Sequence, residues 1–176
     1  MDAHSMINLS RTLVLLALMF FSLPLYAKDN EQPFLVTPTA QFDAPWAMEF
    51  LPDGKMLISE MGGTMKLVDK NGVFLHRITG VPDVVFKGQG GMGDIKVHPR
   101  FERNRLIYLS YAEKGEKDLL GTAVARARLV VEDNIGHLER IEVIWRQTKA
   151  EGYGHYGQRI VFGPDGYLWI SSGDRQ

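Results

Sequence analysis

The chain has 176 residues, of which 45% are hydrophobic and 23% are charged, a composition typical of folded globular proteins and not of disordered or collagen-like ones. Its 20 basic and 21 acidic residues leave a net charge of −1, which provides no electrostatic basis for binding nucleic acid or an anionic membrane surface. The absence of cysteine excludes disulfides, thiolate metal sites, cysteine nucleophiles and a lipid-modified cysteine anchor.

Residues 1–27 are typical of a secretory signal peptide. Arg11 provides the basic flank, an apolar run of 12 residues covers 12–23, and the small residue Ala27 precedes charged Lys28. The alternative is a membrane anchor, but the run is shorter than the roughly 20 residues that span a bilayer. We therefore expect cleavage after Ala27, no stable membrane anchor, and a periplasmic location for the mature protein.

A strand–turn–strand phrase recurs after this segment and predicts an all-β fold. Two copies, residues 49–60 and 161–172, are built around a Pro-Asp-Gly turn, and a third with a longer loop covers 97–110. Each copy is a strand, a turn led by proline, and a strand that ends in serine. Proline presets φ in such turns, while Asp and Gly tolerate their left-handed positions. Recurrence at this spacing indicates repeated sheets, of which the blades of a propeller are one case.

The first repeat can be divided into four strands, at residues 46–50, 55–60, 65–69 and 73–78. Asn71-Gly72, between the last two, is one of the strongest short hairpin signals. A second repeat is predicted at 92–145, with strands at 122–132 and 138–145. A third begins at Gly157 and contains two strands.

About two and a half blades cannot close a ring, because propellers typically use four to eight. We therefore expect residues 28–39 to be a lead-in and residues 40–176 to be the N-terminal part of an incomplete propeller. A complete small β-sandwich is the alternative.

His155 is the most distinctive candidate for chemistry, because it lies in the glycine-rich loop Gly152-Tyr-Gly-His-Tyr-Gly157 just before a predicted strand. A histidine on a loop can act as a general base near neutral pH. Asp174 follows 19 residues later, at the end of the predicted hairpin, where it could orient and polarise His155. The alternative interpretation is a surface histidine beside an ordinary turn aspartate.

The glycine loop Gly88-Gln-Gly-Gly-Met-Gly93 matches the spacing of a dinucleotide-binding fingerprint. That fingerprint requires a helix after the loop, whereas residues 94–99 are strand-like and end at proline, so we reject nucleotide binding. Gln89 instead offers an amide to a polar ligand. His98 is predicted to cap a turn or to pack, and no metal ligand is predicted, because the sequence shows no clustered histidines and no carboxylate-rich calcium loop.

A set of short motifs in fixed order resembles the soluble pyrroloquinoline-quinone (PQQ)-dependent aldose sugar dehydrogenases, the glucose/sorbosone dehydrogenase family. The resemblance covers about residues 40–176. Its motifs are Trp46-Ala-Met-Glu-Phe-Leu-Pro-Asp-Gly54, Ser59-Glu60, Gly88-Gln-Gly-Gly91, His98-Pro99, Tyr108-Leu-Ser-Tyr-Ala112, Thr122-Ala-Val-Ala-Arg126, Val143-Ile-Trp-Arg146, Gly154-His-Tyr-Gly157, Arg159, and Gly163-Pro-Asp-Gly166 through Gly173-Asp174.

The resemblance implies a six-bladed β-propeller with the quinone at the mouth of its central channel. It implies that His155 takes the proton of the sugar's anomeric hydroxyl while a hydride moves from C1 to PQQ, which yields a lactone. It further implies that Asp174 hydrogen-bonds His155, that Gln89 contacts the cofactor or the substrate rim, and that an external acceptor removes the electrons. Calcium is implied as a second cofactor, with ligands expected beyond residue 176.

Two further expectations concern substrate and activity. Gly154 lies where some family members carry an acidic residue that binds the sugar, which favours broader aldose use over a glucose-specific pocket. Since most cofactor and sugar contacts of the family come from later blades, the 176-residue chain alone is expected to be inactive. A non-catalytic propeller that acts as a binding module is the alternative function.

Overall fold

A computed structural model describes residues 34–175, and within them ten strands form three antiparallel sheets. The first sheet has the order β1-β2-β3-β4, the second β5-β6-β7-β8, and the third is the hairpin β9-β10. The strands are β1 (Pro45–Phe50), β2 (Met56–Glu60), β3 (Thr64–Val68), β4 (Phe74–Arg77), β5 (Met92–Val97), β6 (Leu106–Lys114), β7 (Leu120–Glu132), β8 (Ile135–Arg146), β9 (Gly157–Phe162) and β10 (Leu168–Ser172). The predicted all-β fold of two blades and the first hairpin of a third is confirmed.

The two Pro-Asp-Gly turns have the same hydrogen-bond pattern. In the first, the amide of Gly54 donates to the carbonyl of Leu51 at 2.9 Å, and in the second the amide of Gly166 donates to Gly163 at 3.0 Å. The turn glycines Gly54 and Gly166 have φ values of 84° and 83°, in the left-handed region that glycine adopts without strain. The repeat read from the sequence is therefore a structural repeat.

The third copy of the phrase contains a four-residue helix, α1 (Phe101–Asn104), in place of a tight turn. The Nδ1 atom of His98 accepts hydrogen bonds from the Arg100 amide and the Asn104 side chain, both at 2.9 Å. Its ring also packs against Tyr108 and Phe162. Burial lowers the pKa of His98, and the nearby Arg100 cation lowers it further. His98 therefore has the capping and packing role that the sequence predicts.

The sheets pack through their first strands, because β1 lies against β5 and β5 lies against β9. This arrangement is the one in which propeller blades radiate from a central axis. Strand β6 lies between neighbours and is buried on both faces: Ile107 and Leu109 face the core shared with the first sheet, while Tyr108 packs with Val124 and Ile160 under the hairpin. The alternation follows from the two-residue period of a strand.

The predicted signal peptide, residues 1–27, lies outside the described residues, as does most of the predicted lead-in. Between residues 34 and 175, no helix is long and apolar enough to cross a membrane.

Candidate active site

The loop that carries His155 joins β8 to β9, and we call residues 152–157 the histidine loop. His155 has a φ of 48°, in the left-handed region that side-chain-bearing residues rarely occupy. Gly152 and Gly157 are also left-handed, at φ 90° and 83°. A backbone conformation of this kind persists only where surrounding contacts determine it, so the anchors of the loop are the first feature to establish.

The β9-β10 hairpin returns the chain to the histidine loop and brings Asp174 to His155. His155 Nδ1 and Asp174 Oδ1 are 2.6 Å apart, and the two side chains are 50% and 62% exposed. Because an ionised carboxylate only accepts hydrogen bonds, Nδ1 carries the proton and the lone pair of Nε2 is left available. The structure thus joins two of the predicted site residues, and the pairing has the geometry of a base held by an orienting carboxylate.

Gln89, in the glycine loop of residues 88–93, holds the histidine loop through two hydrogen bonds. Its side-chain Oε1 atom accepts the backbone amide of His155 at 2.9 Å, and its backbone amide donates to the Tyr153 carbonyl at 2.8 Å. Gly88, at φ 60°, permits this approach, because a Cβ there would overlap the Tyr153 carbonyl. Within residues 34–175 the exposed Nε2 group of Gln89 has no acceptor. As predicted, a strand, β5, and not a helix follows the glycine loop.

Arg175 anchors the opposite side of the histidine loop. Its guanidinium donates to the carbonyl oxygens of Gly154 and, at 2.9 Å, of Gly152. It also stacks on the Tyr156 ring, 3.6 Å from the ring centroid. The Arg175 side chain is buried, and in the described part of the chain neither its Nε nor the buried Tyr156 hydroxyl has a hydrogen-bond partner.

A clamp formed by Gln147 and Thr122 fixes the peptide groups next to both members of the pair. Gln147 is buried; its Oε1 accepts the Thr122 amide at 3.0 Å, and its Nε2 donates to the Gly173 carbonyl at 2.9 Å. The Thr122 hydroxyl donates to the Tyr156 carbonyl at 3.0 Å. Tyr156 directly follows His155 and Gly173 directly precedes Asp174, so one clamp sets the position of both.

Sequence reasoning missed Gln147, Thr122 and Arg175. Gln147 follows β8 without a motif around it, and Thr122 reads as an ordinary strand residue. The Thr122 motif entered the resemblance only as a family marker. Their role depends on partners 21 to 34 residues away, and no local pattern signals such partners.

A groove with a volume of about 430 Å³ opens beside Asp174, and Arg146, Gln147, Ser172 and Arg175 contribute to its lining. Asp174 lines this groove and His155 does not, and larger cavities near Phe101 and near Pro82 are lined by neither residue. Among the residues that the structure describes, no group of three or more His, Asp or Glu side chains could hold a metal ion.

The family model for glucose/sorbosone dehydrogenase matches residues 42–176. The chain belongs to the glucose/sorbosone dehydrogenase family. The match covers both complete sheets, the hairpin, and all three residues that the sequence singles out for the site.

Relatives of this chain include the aldose sugar dehydrogenase YliI of Escherichia coli, which is 38% identical over 136 residues. That alignment covers 76% of this chain and 36% of the E. coli protein, so the chain spans little more than a third of this relative. Human Hedgehog-interacting protein is 27% identical over 132 residues, covering 68% of this chain and 19% of that protein.

Solved structures agree with the sequence relatives. The apo form of the soluble aldose sugar dehydrogenase from E. coli superposes with a TM-score of 0.70 at 37% identity, covering 75% of this chain and 38% of that one. The PQQ-bound form of the aldose sugar dehydrogenase from Streptomyces coelicolor gives a TM-score of 0.62 at 25% identity, covering 80% and 41%.

Proposed function

We propose that this chain is part of a periplasmic PQQ-dependent dehydrogenase that oxidises the C1 hydroxyl of aldose sugars to lactones. The observation that carries the proposal is the hydrogen bond of 2.6 Å between His155 and Asp174, on an exposed, strained loop in a chain of this family. The family membership and the PQQ-bound relative support the reaction class.

In this proposal His155 is the general base. Its Nε2 lone pair takes the proton of the C1 hydroxyl, which makes C1 a better hydride donor. Asp174 holds the ring in the tautomer that leaves Nε2 available, and it stabilises the imidazolium that forms. The Gln89 and Arg175 contacts hold the main chain that carries the imidazole, and Asp174 holds the ring itself, so that little reorganisation is needed during proton transfer.

The polar groups around the histidine loop fit the rim of a quinone site. The Nε2 group of Gln89 has no acceptor among residues 34–175 and can donate to a carbonyl oxygen, and the Arg175 guanidinium places a fixed positive charge beside the groove. When bound there, PQQ supplies the acceptor for the hydride. We place the calcium ligands and the remaining quinone contacts in sheets that follow residue 176 in the family fold.

The test of this proposal is sugar-dependent dye reduction with PQQ and calcium, by a protein that carries the remaining sheets. We expect activity with several aldoses, because Gly154 provides no acidic group specific for glucose, and no activity from the 176-residue chain alone. Quinone-dependent oxidation by the isolated chain would contradict the second expectation. The periplasmic location is tested by N-terminal sequencing of the exported protein, which should begin at Lys28.

A non-catalytic binding module is the second candidate function, favoured by the similarity to a protein named for interaction with Hedgehog. The two candidates differ in cofactor binding. A protein with the remaining sheets that fails to bind PQQ in the presence of calcium would support the binding module, whereas saturable PQQ binding with sugar-dependent turnover supports the enzyme.

Replacing Gln147 with methionine tests whether the clamp positions the catalytic pair. Methionine has a similar length but cannot accept from Thr122 or donate to Gly173 and Ser172. We expect the resulting displacement of the pair to lower kcat about tenfold, while KM changes by less than about threefold. The Nδ1–H tautomer of His155, read from long-range ¹H–¹⁵N correlations, should become mixed.

The matched control for this variant is Gln158→Met. Gln158 is also buried, but its side-chain amide donates to the Gly91 carbonyl at 3.3 Å and not to a residue next to the pair. Equal effects of the two variants on the His155 tautomer would show that Gln147 acts only on general stability.

A further inference from the structure

A serine on the second strand of a sheet joins neighbouring sheets in the same way at two places. In the first sheet, the Ser59 hydroxyl accepts the amide of Ala47 on β1 at 3.0 Å and donates to the Gly93 carbonyl on β5 at 2.7 Å. Each such serine therefore binds the first strand of its own sheet and the first strand of the next sheet.

The second sheet repeats this pattern with different residues. The Ser110 hydroxyl accepts the amide of Asp94 on β5 at 2.8 Å and donates to the Gln158 carbonyl on β9 at 2.6 Å. Ser59 and Ser110 are both fully buried, with 0% exposure. The accepting residue always directly precedes the residue whose amide binds the next serine. Gly93 accepts from Ser59, and Asp94 donates to Ser110. In the same way Gln158 accepts from Ser110, and Arg159 donates to Ser171.

Ser171 is the third serine of this series, and only half of its pattern is present. Its hydroxyl accepts the amide of Arg159 on β9 at 2.9 Å, as Ser59 and Ser110 do with their own first strands. The Ser171 hydroxyl proton has no acceptor in residues 34–175, and Ser171 is exposed. The difference is that no further sheet covers this face of the hairpin in the described part of the chain.

The opposite end of the series has the complementary half. Trp46 precedes Ala47 on β1, as Gly93 precedes Asp94 and Gln158 precedes Arg159, so its carbonyl lies at the position that accepts a serine from a preceding sheet. The side chains around both ends are apolar and exposed. Trp46 and Phe50 on β1 are 45% and 59% exposed, and Trp169 on β10 is 60% exposed.

We propose that Ser171 and the Trp46 carbonyl are the two open halves of this inter-sheet repeat, and that each binds a further antiparallel sheet of the same protein. Ser171 donates to a main-chain carbonyl on the first strand of the sheet that covers β9-β10. A serine or threonine on the second strand of the sheet that covers β1 donates to Trp46. The occupant is a sheet of the same chain and not another macromolecule, because both existing connections join consecutive sheets in this way and the chain spans only 36% of its E. coli relative.

The chemistry of the partner follows from the existing connections. A serine hydroxyl both accepts and donates, so it links two backbones without any side chain from the next sheet. The partner strand therefore has no required residue type at the acceptor position. Once covered, the hydroxyl is removed from water, and a missing bond would leave a buried carbonyl unsatisfied.

The test compares Ser171→Ala with Ser110→Ala in two proteins, the 176-residue chain and a protein that carries the remaining sheets. In the longer protein, both variants should accelerate the slowest backbone amide exchange by about 5- to 30-fold. In the 176-residue chain, Ser110→Ala should have this effect. Ser171→Ala should have a smaller effect there, because the Ser171 hydroxyl accepts a hydrogen bond but does not donate one to a neighbouring sheet. A crystal structure of the longer protein should show the Ser171 hydroxyl within hydrogen-bond distance of a strand carbonyl.

Two results would overturn the proposal. One is unchanged exchange in the longer protein with Ser171→Ala while Ser110→Ala has its full effect. The other is a complete protein in which Ser171 stays exposed to solvent. Neither measurement uses catalysis or PQQ, so failure of this proposal is distinguishable from failure of the proposed dehydrogenase activity. If the 176-residue chain does not fold alone, the two variants in the longer protein still decide.

Discussion

Replacing His155 with alanine in the protein that carries the remaining sheets is expected to lower kcat for sugar-dependent dye reduction by about 10²- to 10⁴-fold. Alanine removes the imidazole, the proton acceptor in the proposed reaction, while the left-handed backbone at this position stays anchored through Gln89. PQQ binding and thermal unfolding should change little, because the His155 side chain is half exposed and contributes little to the core.

The control for this variant is His137→Ala. His137 is also an exposed histidine beside a carboxylate, with its Nε2 atom 3.2 Å from Glu139, but it lies on β8, away from the histidine loop. We expect its loss to leave kcat within about twofold of the parent. A His155→Ala protein that keeps most of its activity would remove His155 from the mechanism and favour the binding-module alternative.

Replacing Gly173 with alanine is expected to lower kcat by about 10²-fold, through displacement and not through loss of a chemical group. A Cβ at position 173 would overlap the carbonyl group of His155. Backbone cannot move aside as a flexible side chain can, so the His155–Asp174 pair must separate or rotate. Misplacement of reacting groups by about 1 Å is enough for a loss of this size.

Gly62→Ala is the matched control for Gly173→Ala, because a Cβ at position 62 meets no atom within 4 Å and the residue has no left-handed φ. It should leave both kcat and the unfolding temperature close to the parent values. Asp174→Asn provides a second measurement that does not disturb the backbone, and it should also lower kcat. If Gly173→Ala and Asp174→Asn both behave as the parent, the pair has no catalytic role.

Comparison of the site with the sequence shows which kinds of residue can be found without coordinates. The sequence predicts that His155 and Asp174 meet, because a hairpin of this length returns the chain to the edge it left. In the structure His155 Nδ1 and Asp174 Oδ1 are 2.6 Å apart. Gln89 was predicted from a glycine loop, but as a ligand contact. The structure adds that its side-chain oxygen holds the His155 amide, 66 residues away.

The strand–turn–strand repeat can also be predicted from the sequence, because it consists of local turns and strands. The hydrogen bonds that its serines make between sheets cannot be predicted in this way. The Pro-Asp-Gly turn recurs in the first and third sheets because both reverse the chain between their first two strands, and a serine recurs on the second strand of all three sheets. That these serines also bind the next sheet required coordinates. One connection spans 34 residues and the other 48, and a serine hydroxyl on a strand is equally compatible with solvent.

The amino-acid sequence by itself therefore determined the strands, the turns, the repeat and the family, because these depend on residues close together in the chain. The tertiary structure alone decided which groups anchor the histidine loop: Gln147, Thr122 and Arg175 act through hydrogen bonds to main-chain carbonyls. Every residue carries a main-chain carbonyl, so the amino-acid sequence does not indicate which carbonyl will accept a hydrogen bond. That depends on which carbonyl the packing of the sheets brings within hydrogen-bond distance.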